Sequence, residues 1–270
     1  MRLRTLTLGA LMLASIGLQA ETLQVSDLDV DELWVQGGVE VQVSQGDSPQ
    51  LLMRGDSEEL EMRPFYVRGS TLVLGHSQDY KGEDFSSVQY MLTVPELSEI
   101  RLSGNGDIYV KPMVQESILI SLDGSGDIKL FDLEAEEANV RVAGSGDIKL
   151  ARLTAPLVDL MVAGSGDIAI GKLEAEVVES TISGSGDINL QEATAKASSV
   201  EINVIGGGEV DLTPLASNSA EVNIVGSGDA RLGELDYLEV NIIGSGDIYY
   251  AGEPEIDSNV LGSGDLRRQR

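Results

Sequence analysis

Residues 139–150 read Asn-Val-Arg-Val-Ala-Gly-Ser-Gly-Asp-Ile-Lys-Leu, and this stretch contains the pattern that decides the fold. Valines alternate with other residues before the tetrapeptide Gly144–Asp147, and Ile148 and Leu150 alternate with lysine after it. Side chains at positions i and i+2 lie on the same face of a strand. The stretch therefore predicts two short strands, each with one buried face, joined by a tight bend.

The tetrapeptide, which we call the corner, recurs nine times with small variations. Its copies begin at Gly104, Gly124, Gly144, Gly164, Gly184, Gly206, Gly226, Gly244 and Gly262. The steps between successive copies are 20, 20, 20, 20, 22, 20, 18 and 18 residues. A nearly fixed period of this length indicates one structural unit, here called a coil, that is stacked many times because a single coil cannot bury its apolar face.

The predicted fold class is therefore all-β, a right-handed parallel β-helix (a solenoid) with roughly 20 residues per coil. Paired glycines permit the sharp bend of each corner. The predicted structural turn residues include Gly124, Gly126, Gly144, Gly146, Gly164, Gly166, Gly184 and Gly186. The coil with the 22-residue step has Gly207 in place of serine and Glu209 in place of aspartate at its corner, so we expect this coil to be distorted or to carry a bulge.

Three regions are expected along the chain. Residues 1–20 have a basic start and an apolar run too short for a membrane span, which predicts a signal peptide and export to the periplasm, the cell surface or the medium. Residues 21–95 alternate like strands but lack the corner, and are expected to form an all-β cap. Residues 96–270 are expected to form the β-helix with its nine Gly-x-Gly-Asp/Glu corners, and no transmembrane segment is expected.

The net charge of −27 becomes −29 when Arg2 and Arg4 are removed with the signal peptide. Such a chain repels nucleic acid and anionic membrane surfaces, so the expected partner is a protein or an envelope component of unknown identity. The chain has no cysteine, which leaves burial and backbone pairing to stabilise an exported fold.

The repeated corners from Gly124 through Ile248, the lead-in 33–43 and the stretch Met91–Pro95 resemble a bacterial family described as "putative auto-transporter adhesin, head GIN domain". The resemblance extends over nearly all of the chain that follows the predicted signal peptide. It implies an exported β-solenoid of unproven activity, and adhesion is the role that the family's description names.

Composition also argues against catalysis. His76 is the one histidine and cysteine is missing, so a zinc or copper site is not expected, and no nucleotide or nucleophile motif is present. A polysaccharide-cleaving β-helix would need carboxylates and basic residues clustered in one groove. Lys129 and Lys149 should stack, but Ala169 and Asn189 follow them, so we predict that the protein is not an enzyme.

The corner aspartates, which include Asp127, Asp147, Asp167 and Asp187, should form a ladder of carboxylates about 4.8 Å apart. Their repulsion can be offset by backbone N–H groups, each aspartate accepting from its own corner, or by calcium bound between coils. The first alternative makes the ladder structural. The second makes these four aspartates the candidate metal ligands and calcium the candidate cofactor.

The sequence therefore predicts a non-enzymatic exported solenoid that presents an acidic surface for adhesion or for interaction with the cell envelope. The alternative is a structural module that binds divalent cations through the aspartate ladder. A solenoid exposes a sheet edge at its end, so self-association through the C-terminal end, as a homo-oligomer, is also expected.

Overall fold

The computed structural model describes residues 21–269, so the predicted signal peptide lies outside the described residues. Strands make up 68% of the structure and helix 2%, and the strands stack as a parallel β-solenoid of about eight turns. The predicted all-β solenoid is thereby confirmed. The right-handed sense of the coil stays a prediction. No helix within the described range has the length and apolar character that crossing a membrane requires.

The N-terminal part contains seven strands and one short helix. These are β1 (Glu21–Ser26), β2 (Glu32–Gly37), β3 (Glu40–Gln45), β4 (Gln50–Gly55), α1 (Ser57–Glu61), β5 (Phe65–Arg68), β6 (Thr71–Leu74) and β7 (Gln89–Val94).

The remaining strands follow one another with short connections. They are β8 (Glu99–Gly104), β9 (Asp107–Val110), β10 (Met113–Val114), β11 (Ser117–Gly124), β12 (Asp127–Glu134), β13 (Glu137–Gly144), β14 (Ile148–Thr154), β15 (Leu157–Gly164), β16 (Ile168–Glu174), β17 (Val177–Gly184), β18 (Ile188–Ala193), β19 (Ala197–Gly206), β20 (Glu209–Leu212), β21 (Ser217–Gly226), β22 (Asp229–Gly244), β23 (Ile248–Ala251), β24 (Glu255–Gly262) and β25 (Leu266–Arg268).

Each coil contributes one strand before its corner and one after it, so the coils build two parallel sheets. We call them the pre-corner sheet, which contains β13 and β15, and the post-corner sheet, which contains β14 and β16. The long strand β22 belongs to both sheets, since it pairs with β20 at its start and with β21 at its end. Buried apolar side chains from the coils form one continuous core.

The coils are stacked in register. Gly124 pairs with Gly144, Gly144 with Gly164, and Gly164 with Gly184. The same pairing continues through every later corner to Gly262. Equivalent side chains therefore form ladders parallel to the solenoid axis, and a fully buried Val, Leu or Ile in an inner ladder contributes about 1.5–3 kcal/mol.

The boundary expected at residue 95 needs a correction. Strands β2 and β3, from the region predicted to be only a cap, pair in parallel with β8 and β9 and thus form a coil of the solenoid. Strands β6 and β7 pair in parallel with the outer side of β2 and β3. The antiparallel pairs of the described residues are β1 with β4, β4 with β7, and β5 with β6, and all three lie at this end of the stack.

The irregularity expected in the coil with the 22-residue step lies outside its corner. Gly206 lies in register with Gly184 and Gly226 and has φ of +128°, close to the +130° to +145° of the other corners. Leu173 pairs with Ala193 and Val177 pairs with Ser199, so the two extra residues of the 22-residue step lie between Ala193 and Ser199. This span includes the turn after β18 and the first two residues of β19, and its extra length leaves the corner in register.

The corner is built around one carbonyl group. The carbonyl oxygen of Gly124 accepts hydrogen bonds from the backbone N–H groups of Ser145, at 2.9 Å, and Gly146, at 3.1 Å. Gly144 has φ of +132°, a conformation that L side chains rarely adopt. A Cβ atom on Gly146 would lie less than 3.0 Å from the carbonyl oxygen of Gly126. Both glycines are therefore required, the first by backbone conformation and the second by the closeness of the next coil.

Replacing Gly146 by alanine should destabilise the protein by about 1–3 kcal/mol, because a rigid backbone atom occupies the space of the new methyl group. The exposed Ser145 of the same corner provides the control, and Ser145→Ala should change stability by less than about 0.5 kcal/mol. Urea denaturation followed by circular dichroism measures both. Equal stability of the two variants would contradict the close-approach explanation.

Candidate functional site

The aspartates that end the corners form the predicted ladder. Oδ1 of Asp147 accepts the backbone N–H of Asp167 at 3.2 Å, and Oδ1 of Asp167 accepts that of Asp187 at 2.9 Å. The same contact joins the pairs Asp107–Asp127, Asp187–Glu209, Asp229–Asp247 and Asp247–Asp265. The expectation that each aspartate accepts from its own corner is thus wrong. Six of the corner aspartates accept from the next coil, and their side chains join coils together; they are Asp107, Asp147, Asp167, Asp187, Asp229 and Asp247.

Basic side chains neutralise part of this ladder. The Nζ atom of Lys149 lies 2.9 Å from Oδ2 of Asp147, and that of Lys129 lies 3.1 Å from Oδ2 of Asp127. These hydrogen bonds raise the pKa of both lysines above the ordinary value. Each of the stacked lysines therefore forms an ion pair with the aspartate of its own corner. Asp167 and Asp187 lie in the same ladder, where Ala169 and Asn189 occupy the position of the lysine.

Within residues 21–269, no group of three or more acidic or histidine side chains is placed to hold a metal ion. Calcium binding by Asp127, Asp147, Asp167 and Asp187 stays a prediction. His76 is partly buried in the N-terminal part, where its ring packs edge-to-face on that of Tyr66, with ring centres 6.2 Å apart.

A second set of ladders covers the outer face of the pre-corner sheet in the C-terminal half. The first is acidic and consists of Glu179, Glu201, Glu221, Glu239 and Asp257, each paired with the next, while Asp159 of the preceding coil is in register with Glu179 but forms an ion pair with Arg141. In the described part of the chain, none of these five carboxylates forms an ion pair. Neighbouring charges about 4.8 Å apart repel by about 0.9 kcal/mol in water. Unlike the corner ladder, this one lacks compensating cations.

An asparagine ladder runs beside the acidic one, two residues further along each strand. Asn203, Asn223, Asn241 and Asn259 are in register. The side-chain amide of Asn223 donates to Oδ1 of Asn203 at 3.0 Å, and that of Asn241 donates to Oδ1 of Asn223 at 3.1 Å. Asn223 Nδ2 also lies 3.0 Å from Oε1 of Glu221, and thus helps to hold this carboxylate in place.

A third ladder is apolar and exposed. Ile205, Val225, Ile243 and Leu261 precede four successive corners and pair in register. Their exposed fractions are 55, 48, 55 and 60%. Large apolar side chains in solvent have no stabilising role in the core, so this ladder is a candidate contact surface.

The far side of the acidic ladder borders a shallow depression of about 310 Å³. Ser199 and Ser219 lie on it between Val177 and Tyr237. Desolvation, together with Glu239, Asp257 and Glu255, raises the pKa of Tyr237 above its ordinary value. Desolvation is the largest cause of this shift, and the three carboxylates add to it.

The corner residues were predicted, but the outer ladders were missed. Their signal is present before three corners, as Glu201-Ile-Asn-Val-Ile205, Glu221-Val-Asn-Ile-Val225 and Glu239-Val-Asn-Ile-Ile243. In these segments the outward positions read Glu, Asn and an aliphatic residue at the period of the corners. Repetition of the outward residues, and not only of the inward ones, would have indicated this surface.

Replacing Asp167 separates the roles of charge and hydrogen bonding in the corner ladder. Asp167→Ala leaves the backbone N–H of Asp187 without its acceptor and should cost about 1–3 kcal/mol. Asp167→Asn keeps an oxygen at this position and removes one of several neighbouring negative charges, so its stability should equal or exceed that of the wild type. Thermal denaturation at low salt measures both. Equal losses in the two variants would contradict the assigned role.

Several solved structures are similar to this chain. A protein from Parabacteroides distasonis described as a putative lipid binding protein is 24% identical, with a TM-score of 0.70 over 93% of this chain and 96% of that one. A putative adhesin from Bacteroides fragilis is 20% identical, with a TM-score of 0.61 over 94% and 98% of the two chains. A putative adhesin from Parabacteroides merdae is 18% identical, with a TM-score of 0.64 over 92% and 95%. At these identities the likeness shows the fold alone.

No match was found among the curated proteins that were compared. The sequence profile of the family described as "putative auto-transporter adhesin, head GIN domain" matches residues 29–196 and 152–254. These two ranges overlap, as expected when a profile can be placed at more than one position along a stack of equivalent coils. Together they include most of the described solenoid, and the chain belongs to this family.

Proposed function

We propose that the protein is a non-enzymatic, exported binding protein whose outer face mediates adhesion or contact with another component of the cell envelope. The observation that carries this proposal is the acidic ladder from Glu179 to Asp257, which lies exposed beside an exposed apolar ladder. Both features cost solubility or stability in an isolated protein. Their regular arrangement on one face is best explained by a partner.

Family membership also supports a binding role in adhesion or envelope contact. The family description names adhesion and no reaction, and two of the similar structures are described as adhesins. Export itself rests on the predicted signal peptide and on this family, and location at the cell surface remains part of the proposal. The chain's stacked coils would supply a stiff support, since each coil is bonded to its neighbours along both sheets.

Lipid binding, the role named for the similar Parabacteroides distasonis protein, is a weaker candidate here. The chain carries a net charge of −27, so it is repelled by anionic lipid surfaces. The exposed apolar ladder is bordered by polar and acidic ladders, whereas insertion among acyl chains favours an apolar face with basic borders. A protein or another envelope polymer is therefore the preferred partner.

Self-association through the C-terminal end stays a prediction. Strand β24 is exposed along its length, and its inward-facing Ile256 and Val260 are 36 and 38% exposed. A strand with free N–H and C=O groups on one side can pair with a second copy. Light scattering that showed only monomer at micromolar concentration would contradict this expectation.

Deletion of the gene from the producing bacterium should reduce attachment of cells to surfaces or to one another severalfold, and the wild-type gene should restore it. A gene with Glu201→Gln, Glu221→Gln and Glu239→Gln should fail to restore attachment at equal protein level. Glu134, Glu136 and Glu174, which are exposed acids outside the ladder, provide a control with the same change of charge. Unchanged attachment after deletion would contradict the proposed function.

A further inference from the structure

The exposed apolar ladder is confined to one part of the solenoid. The column that holds Ile205 and Val225 holds smaller or polar residues in the preceding coils, namely Asp123, Ala143, Ala163 and Ser183. From Ile205 onward, each of the four coils presents a large aliphatic side chain that is about half exposed. With about 4.8 Å between coils, the ladder is about 14 Å long. The change occurs at one coil and persists through the next three, so the apolar surface is confined to these four coils.

The apolar ladder has a charged border at a fixed distance. The acidic ladder lies four residues earlier on the same strands, and therefore about 13 Å away, with the asparagine ladder between them. The asparagine amides donate to one another and to Glu201 and Glu221. The middle of the face is thus occupied by neutral groups whose hydrogen bonds are largely satisfied. Attraction for a partner is therefore concentrated in the acidic ladder and in the apolar ladder.

We infer that this face docks a basic amphipathic helix of a partner protein, about three turns long and aligned with the solenoid axis. This inference rests on the proposed function and names the partner of the same face. A helix presents a side chain on one face every 5.4 Å, close to the 4.8 Å spacing of the coils. A helix above the asparagine ladder can place aliphatic side chains on Val225 and Ile243. Its Lys or Arg side chains then reach Glu221 and Glu239.

Charge complementarity favours a basic helix over a second copy of the chain or a membrane as the partner of this face. A second copy of the chain would bring another strongly acidic surface to the face, and an anionic membrane would be repelled in the same way. A basic helix supplies the cations that the acidic ladder lacks within the described part of the chain. It also covers the apolar ladder. A basic amphipathic helix thus pairs with the acidic ladder and covers the apolar ladder at the same time.

The probe is a fluorescent peptide of about 14 residues made of Leu and Lys, with Leu at helical spacing i, i+3, i+4 and i+7. Its control has Glu in place of Lys. Fluorescence anisotropy with protein of residues 21–270 should show binding of the Lys peptide and none of the Glu peptide. The double variants Val225→Gln/Ile243→Gln and Glu221→Gln/Glu239→Gln should each weaken binding about tenfold or more.

Matched controls change exposed residues outside the face. Glu134→Gln/Glu136→Gln removes the same charge, and Phe131→Gln/Leu157→Gln removes two large side chains that are 55 and 48% exposed. Both should alter the dissociation constant by less than about twofold. Circular dichroism and melting temperature establish that every variant is folded. The targeted side chains are exposed, so these substitutions leave the core unchanged.

Equal weakening by the two charge variants would overturn the inference and leave only general attraction to an acidic protein. Binding of phosphatidylcholine vesicles that Val225→Gln/Ile243→Gln abolishes would assign the face to lipid. A dimer that this variant dissociates in light scattering would assign it to a second copy. If the peptide fails to bind while deletion still reduces attachment, the partner class is wrong and the proposed function stands. If attachment is also unchanged, the proposed function fails too.

Discussion

The structure depends on the carbonyl group of the first glycine in the corners from Gly104 to Gly244, which accepts one or two backbone N–H groups from the next coil. In one such corner, Gly124 accepts from Ser145 and Gly146. This contact brings successive corners so close that a Cβ atom cannot fit between them, and it holds equivalent residues directly above one another. A shift by one residue would exchange the inner and outer faces of every strand, so close packing at the corner also protects the core.

Because the coils are in strict register, each side chain lies next to the side chains at the equivalent position of the coils on either side. Inner ladders bury apolar residues, while the corner ladder joins coils through carboxylates that accept backbone N–H groups. The outer asparagine ladder also joins coils, whereas the outer column that becomes the apolar ladder makes no such hydrogen bonds and is free to vary between coils. On the pre-corner sheet it changes from Ala163 and Ser183 to Ile205 and Val225. The residues that stabilise the fold therefore recur in every coil, whereas the residues proposed to bind a partner occur in only some coils.

The sequence was sufficient to predict the stacked corners from Gly104 to Gly262, because their period is visible without any structure. It was insufficient for the coil formed by β2 and β3, because Val39 takes the position of the second glycine and residues 46–98 separate this coil from the next. In the outer coil the residues 75–88 form a loop where another corner would lie. The N–H donors to the aspartate ladder were also mispredicted, since that contact joins residues about 20 positions apart.

The absence of cysteine allows the central claim, register between adjacent corners, to be tested by crosslinking. Ser145 and Ser165 are exposed and lie on adjacent coils about 4.8 Å apart, whereas Ser145 and Ser185 are separated by two coils. Disulfides require Cα atoms about 4.4–6.8 Å apart. Mild oxidation should therefore link Ser145→Cys with Ser165→Cys within one chain and leave the Ser145→Cys/Ser185→Cys pair as free thiols. Equal crosslinking of the two pairs, or of neither, would contradict the stacked arrangement.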